Sequence, residues 1–211
     1  MTEDLHEIIK TIKKEFRLSM NGVVSTLQRR QGLDYKINFG VEIPRLKDIA
    51  AKYQKNKELA SALWQENIRE SKLLAIYLMP EEEYESIAEV WTESAKYTEI
   101  ADILSMHILQ RIPNSLTHAL EWISRKEGIF AHCGYMTLSH LFRAGYTLDA
   151  TEEEKFFREI INLFNTEGNK TTRTCAYNTL VHYLEEDNNR EERFITVAQD
   201  CGSHQLLEML A

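Results

Sequence analysis

Apolar residues recur at three- and four-residue spacing along nearly all of the 211 residues, and strict alternation of apolar and polar residues is almost absent. A chain with that rhythm buries its side chains as helices, not as strands. Residues 4–20 set the pattern, with Leu5, Ile8, Ile9, Ile12 and Phe16 on one helical stripe. From Leu73 to Met79 the segment is apolar nearly all round, which predicts a buried helix that Pro80 ends. The chain holds only 8 Gly and 3 Pro, too few turn formers for a β-sandwich or barrel.

Further helices are expected at about 23–30, after Pro44, and at 96–110, 114–126, 129–143, 151–165, 171–186, 190–200 and 203–210. Pro44 suits a first helical turn, where its missing N–H costs nothing. Leu46, Ile49, Ala50 and Tyr53 then follow at helical spacing. Thr151 with Glu154 reads as a capping box, Asn114 as an N-cap, and Gly145 and Gly168 as stops. The run Glu81 to Glu83 complements the dipole of the helix it opens. About a dozen helices pair up without a strict sequence repeat or a domain-sized linker. The expected fold is therefore all-α, an α-α superhelix (a HEAT- or armadillo-like solenoid) forming a single domain over 1–211. A compact irregular bundle is the alternative.

With 43% hydrophobic and 27% charged residues the chain is globular, not disordered. No apolar run approaches the roughly 20 residues that span a bilayer. The start, MTEDLHEIIKTIKK, lacks the apolar stretch of a signal peptide. Cys133, Cys175 and Cys201 are widely spaced and imply no disulfide framework. A reducing, cytoplasmic location and no membrane partner are expected.

The formal charge of −8 argues against a protein that coats nucleic acid indiscriminately. Residues 1–60 nevertheless carry 12 Lys and Arg against 8 Asp and Glu, which leaves room for a local basic face. Lys36, Arg45, Lys47, Lys52 and Lys55 concentrate there, with Arg45, Lys52 and Lys55 at neighbouring angles if the helix after Pro44 continues. Lys170 and Arg173 open a later helix, where N–H groups and cations together can hold a phosphate. A solvated face is the plainer reading of both sets.

Phosphate-loop, dinucleotide, nucleophile-elbow and HExxH motifs are absent. His132, Cys133 and His140 make the densest metal-like cluster, but the two histidines stand eight residues apart, and no metal site or cofactor is expected. Cys133 reads as a buried structural thiol. Asp102 projects away from the stripe of Ile100, Ile103, Leu104, His107 and Ile108, on the side of Ser105 and Leu109. It is either a solvated aspartate or a carboxylate on a binding face.

The succession FGVEIPRLKDIAAKY, LASALW and IRESKLLAIYLM resembles the N-terminal half of the DNA alkylation-repair family of HEAT-like glycosylases (AlkD type). Gly40, Pro44, Lys47, Leu63, Trp64, Arg69 and Glu70 carry the likeness. The resemblance implies a concave surface that holds duplex DNA by its backbone and excises cationic alkylated purines. The site so implied uses an aspartate, two tryptophans and an arginine. Aromatic faces favour a cationic base, and a carboxylate stabilises the oxocarbenium sugar or positions the attacking water. The aspartate falls on Asp102. The first tryptophan falls on Thr98, beside Tyr97, and the second near Thr179. No arginine stands near Cys133, and Trp64, Trp91 and Trp122 read as core. The resemblance thus implies duplex-DNA binding with at most alkylpurine glycosylase activity. The alternative is a non-catalytic HEAT-like scaffold with a protein partner.

Overall fold

A computed structural model describes residues 3–125, 129–166, 169–185 and 187–210. The described residues form thirteen α-helices and two short 3-10 turns, with one isolated parallel bridge between Ile37 and Ile68 and no strand. They fall into two compact units, Met1–Ile87 and Ala88–Ala211. No helix among them is long and apolar enough to cross a membrane.

The first unit contains α1 (Glu3–Leu18), α2 (Gly22–Arg30), α3 (Ile43–Ala50), α4 (Lys57–Trp64) and α5 (Arg69–Leu78). The α1 stripe buries Ile9, Ile12 and Phe16, and α3 buries Leu46 and Ile49. Pro44 lies in the first turn of α3, as its fixed φ favours. In α5, Leu73, Leu74, Ala75, Ile76 and Leu78 are all buried, and Met79 with them.

The segment before α3 is held by backbone and charge together. Gly40 has φ +70°, and a Cβ there would lie 2.2 Å from the Asn21 carbonyl oxygen and 2.7 Å from the Ser25 nitrogen. Only glycine lets this turn lie against the first turn of α2. From the other side, Glu70 accepts the N–H groups of Phe39 (3.1 Å) and Val41 (3.2 Å). Arg69 donates to the Val41 carbonyl at 2.8 Å and pairs with Glu70 at 3.1 Å. Both charged side chains are buried.

A 3-10 turn, Glu81–Glu83, leads into α6 (Tyr84–Ser94). The second unit continues with α7 (Thr98–His107), a 3-10 turn at Leu109–Arg111, α8 (Ser115–Trp122), α9 (Phe130–Arg143), α10 (Ala150–Asn165), α11 (Lys170–Leu184), α12 (Asn188–Asp200) and α13 (His204–Leu210). Helix α9 packs against α7, α8 and α11. Gly134 permits the approach to α8, since a Cβ there would meet the Ala119 carbonyl at 2.8 Å and the Ile123 nitrogen at 2.9 Å. Phe142, Phe156, Phe157, Tyr183 and Phe194 form the aromatic centre of the core, with Phe142 and Tyr183 rings 4.6 Å apart.

Several local expectations change. Helix α3 ends at Ala50, so Lys52, Tyr53 and Lys55 lie beyond it and the helical angles assumed for them do not apply. The capping box of α10 is formed by Asp149 and Glu152, not by Thr151 and Glu154. The aspartate takes the cap because its short carboxylate reaches the N–H groups of Thr151 and Glu152, each at 2.8 Å. Asn114 occupies the N-cap position of α8 in the left-handed region (φ 53°) and makes no side-chain cap. Gly145, at φ +86°, follows α9 as expected. The stop expected at Gly168, and the helix ends at 126 and 186, lie outside the described residues.

Candidate functional site

Helix α7 is buried on two sides. Ile100, Ala101, Leu104 and Ser105 are all buried, while Ile103 and His107 are only half-buried. The side expected to face outward is therefore covered at Ser105, whose hydroxyl donates to the Cys133 carbonyl of α9 at 3.4 Å. Asp102 stands at the margin of that covered face, with 43% of its side chain exposed.

Its carboxylate is held by α9. Asp102 Oδ1 lies 2.7 Å from His132 Nε2, and the imidazole is only 3% exposed. An ionised carboxylate only accepts, so Nε2 carries the proton and donates. The other ring nitrogen, Nδ1, is buried without a hydrogen-bond partner. Asp102 Oδ2 makes no hydrogen bond among the described residues. The pair thus has one oxygen fixed by the protein and one without a hydrogen bond among the described residues.

The Asp102 charge reaches further along α9 and α11. Burial pushes the Cys133 thiol up to about 12, with a smaller upward push from Asp102 and an opposing hydrogen bond from Ser105. Burial pushes Cys175 up to about 12 as well, again with help from Asp102. Neither thiol is a nucleophile near neutral pH, because the thiolate is the reactive form. Burial holds His140 below its ordinary value, Arg143 lowers it further, and Asp102 opposes both. No group of three His, Cys, Asp or Glu side chains among the described residues is placed to hold a metal ion.

Aromatic faces are sparse around the carboxylate's helix. Trp64, Trp91 and Trp122 are buried core residues. Thr98 and Tyr97 are half-buried, and Lys96 Nζ sits 5.2 Å from the Tyr97 ring centre. Thr179 lies in the core, its hydroxyl within reach of the Cys175 carbonyl (2.8 Å) and the Tyr135 carbonyl (3.1 Å).

The basic residues separate into engaged and free. In the first unit, Arg45 donates to Ser19 at 3.1 Å and lies 3.9 Å from Asp48. Lys52 pairs with Glu15, and Lys55 pairs with Glu81 at 3.4 Å. The Glu15 carboxylate also takes the Tyr53 hydroxyl, and burial with that carboxylate pushes this phenol up to about 12. Lys36 is exposed, and Lys47 has only the Tyr77 ring beneath it at 5.9 Å; neither has an acidic partner among the described residues. In the second unit, Lys170 is exposed at the start of α11, likewise without an acidic partner. Arg173 is spent on the carbonyls of Leu163 (3.2 Å) and Thr166, closing the end of α10.

A profile of the DNA alkylation repair enzyme family matches residues 36–204. The chain belongs to that family. No curated relative matches it. A solved structure matches over 91% of this chain and 82% of its own, at TM-score 0.75 and 17% identity. It is described as one of a new family of proteins related to the HEAT-like repeat DNA glycosylases, with affinity for branched DNA structures. The likeness shows the fold, and the all-α, HEAT-like helical architecture expected from the sequence holds.

The residues that carry the family likeness and the Asp102–His132 pair are different parts of this alkylation-repair chain. Gly40, Arg69 and Glu70, which carry the family likeness, are the clamp that seats α3. No arginine stands near Cys133, and His132 beside it contacts Asp102. In the sequence His132 stands out only beside Cys133 and His140, as part of a metal-like cluster. Its thirty-residue separation from Asp102 carries no periodic signal, and only the packing of α9 on α7 joins them.

Proposed function

We propose that this member of the DNA alkylation repair family binds duplex DNA through its phosphates and acts on cationic alkylated purines at Asp102. The observation that carries the reading is the half-exposed Asp102 carboxylate, anchored at one oxygen and open at the other. A purine alkylated at a ring nitrogen already bears positive charge and leaves as a neutral base, so no general acid is needed. The electron pair of the C1′–N bond goes with the base. The sugar becomes an oxocarbenium ion that a carboxylate stabilises, and water then adds to C1′ while its proton passes to Asp102 or solvent. With threonines at the two positions where tryptophans are implied, the base has no stacking face there, and slow excision follows.

Lys36, Lys47 and Lys170 are the phosphate contacts best supported, being exposed and free of acidic partners. Arg45, Lys52, Lys55 and Arg173 contribute once their present partners are exchanged for phosphate. The family match runs through both units, which supports treating them as one functional domain. Free thiols and no paired cysteines suit a reducing, cytoplasmic setting.

A second reading is a protein-binding scaffold without chemistry. It is favoured by the corner between α1 and α2, where Leu18 (78%), Met20 (61%), Val23 (81%) and Leu27 (54%) are exposed. Exposed apolar side chains close together in the chain suit a protein contact.

The deciding experiment is release of methylated purines from alkylated duplex DNA, comparing the native chain with Asp102→Asn. Release above the spontaneous rate that disappears in the variant supports the enzyme reading. Release at the spontaneous rate, with salt-sensitive duplex binding retained, leaves DNA binding alone. No duplex binding at low salt favours the scaffold.

A further inference from the structure

We propose that His132 is the positioning residue of this site, holding the Asp102 carboxylate so that Oδ2 meets a positive charge on the bound nucleotide. The inference rests on the reading of Asp102 given above and adds the device that makes the carboxylate selective. An exposed aspartate on a helix samples several rotamers and is solvated at both oxygens. Here Oδ1 is taken by a donor that cannot follow it, because His132 is 3% exposed and packed within α9. Gly134, two residues on, sets how deeply α9 sits against α8. Fixing one oxygen also fixes the direction of the other, and a preorganised carboxylate responds more strongly to nearby charge than a mobile one.

The unpartnered Nδ1 sharpens the assignment. A buried lone pair without a donor is tolerated more readily than a buried N–H without an acceptor. The geometry therefore specifies the Nε2–H tautomer, a neutral donor. An arginine in this place would bring its own permanent cation and neutralise the carboxylate. With a neutral imidazole the negative charge of Asp102 stays available, and the site favours a cationic sugar or base over a neutral one.

The test uses duplexes carrying a pyrrolidine abasic analogue, which is cationic, or a tetrahydrofuran analogue, which is neutral. The native chain is expected to prefer the cationic analogue by about tenfold, the scale of one partly screened charge contact. Asp102→Asn abolishes the preference. His132→Leu abolishes most of it, whereas His132→Gln, whose amide nitrogen reaches the place of Nε2, restores it. A native preference that survives His132→Leu overturns the proposal, as does a Gln variant no better than Leu. If neither duplex binds, the DNA reading fails, and the positioning claim is decided in the native protein by side-chain ¹⁵N spectra. A protected His132 Nε2–H signal that is lost in Asp102→Ala, which removes the acceptor, sustains it; an Nδ1–H tautomer or a signal indifferent to Asp102→Ala refutes it.

Discussion

Glu70 accepts the backbone N–H of Val41 at 3.2 Å across twenty-nine residues of sequence, from a position with no solvent exposure. The same carboxylate takes the Phe39 N–H and pairs with buried Arg69. Replacing Glu70 by Gln keeps the shape, removes the charge that balances Arg69, and turns an NH₂ group toward a backbone donor. Breaking one partner of a buried ion pair costs on the order of 3–5 kcal/mol. Urea unfolding of Glu70→Gln is expected to show a loss of that size, and a loss below about 1 kcal/mol would show that the clamp contributes little.

Gly40 and Gly32 both adopt positive φ, at +70° and +95°, yet their surroundings differ. A Cβ at Gly32 meets nothing within 4 Å, whereas at Gly40 it strikes the backbone of α2. Gly32→Ala is expected to cost about 1 kcal/mol, the strain of a left-handed alanine. Gly40→Ala adds a backbone clash and costs roughly 3 kcal/mol or more, since α2 must move. Equal melting shifts for the two variants would contradict the close approach.

Most helices are legible in the sequence because they carry an apolar period, as α1 does, and the Leu73–Met79 segment because it is apolar all round. What sequence could not supply was which second side of a helix another helix would cover. Ser105 is buried for that reason, and one oxygen of the half-exposed Asp102 is bound by His132. The cap of α10 is ambiguous in the sequence for a local reason: both Asp149 and Thr151 are competent N-caps with an acid three residues on, and spacing alone does not rank them. The pairing of Lys52 with Glu15 and of Lys55 with Glu81 leaves no mark in the sequence, because those partners are far away along the chain.

His140 reports on the Asp102 charge without any ligand. Burial is the main cause that holds its pKa below the ordinary histidine value; Arg143 adds to it and Asp102 opposes. Removing the carboxylate charge in Asp102→Asn takes away the one opposing influence, so His140 titrates at still lower pH. The sign for stability follows directly. The unfolded chain binds the proton more readily than the folded one, so this residue's contribution is lost as pH falls from the ordinary histidine value through the lowered folded one. In Asp102→Asn that loss becomes larger. NMR titration of the His140 ring in both proteins measures the shift, and an unchanged or raised value in the variant would place Asp102 too far away to matter.

Ion pairing inside the protein separates the lysines proposed as phosphate contacts. Lys47 and Lys170 have no acidic partner among the described residues, while Lys52 is paired with Glu15. A free cation laid against a phosphate releases a counterion from DNA; a cation already neutralised by its own carboxylate releases little. In duplex binding across a salt series, Lys47→Ala and Lys170→Ala are each expected to reduce the slope of log affinity against log salt by about 1. Lys52→Ala should leave the slope nearly unchanged. Equal reductions for Lys47 and Lys52 would mean that the Glu15 pair opens on binding. No reduction in any of the three would remove these positions from the DNA contact.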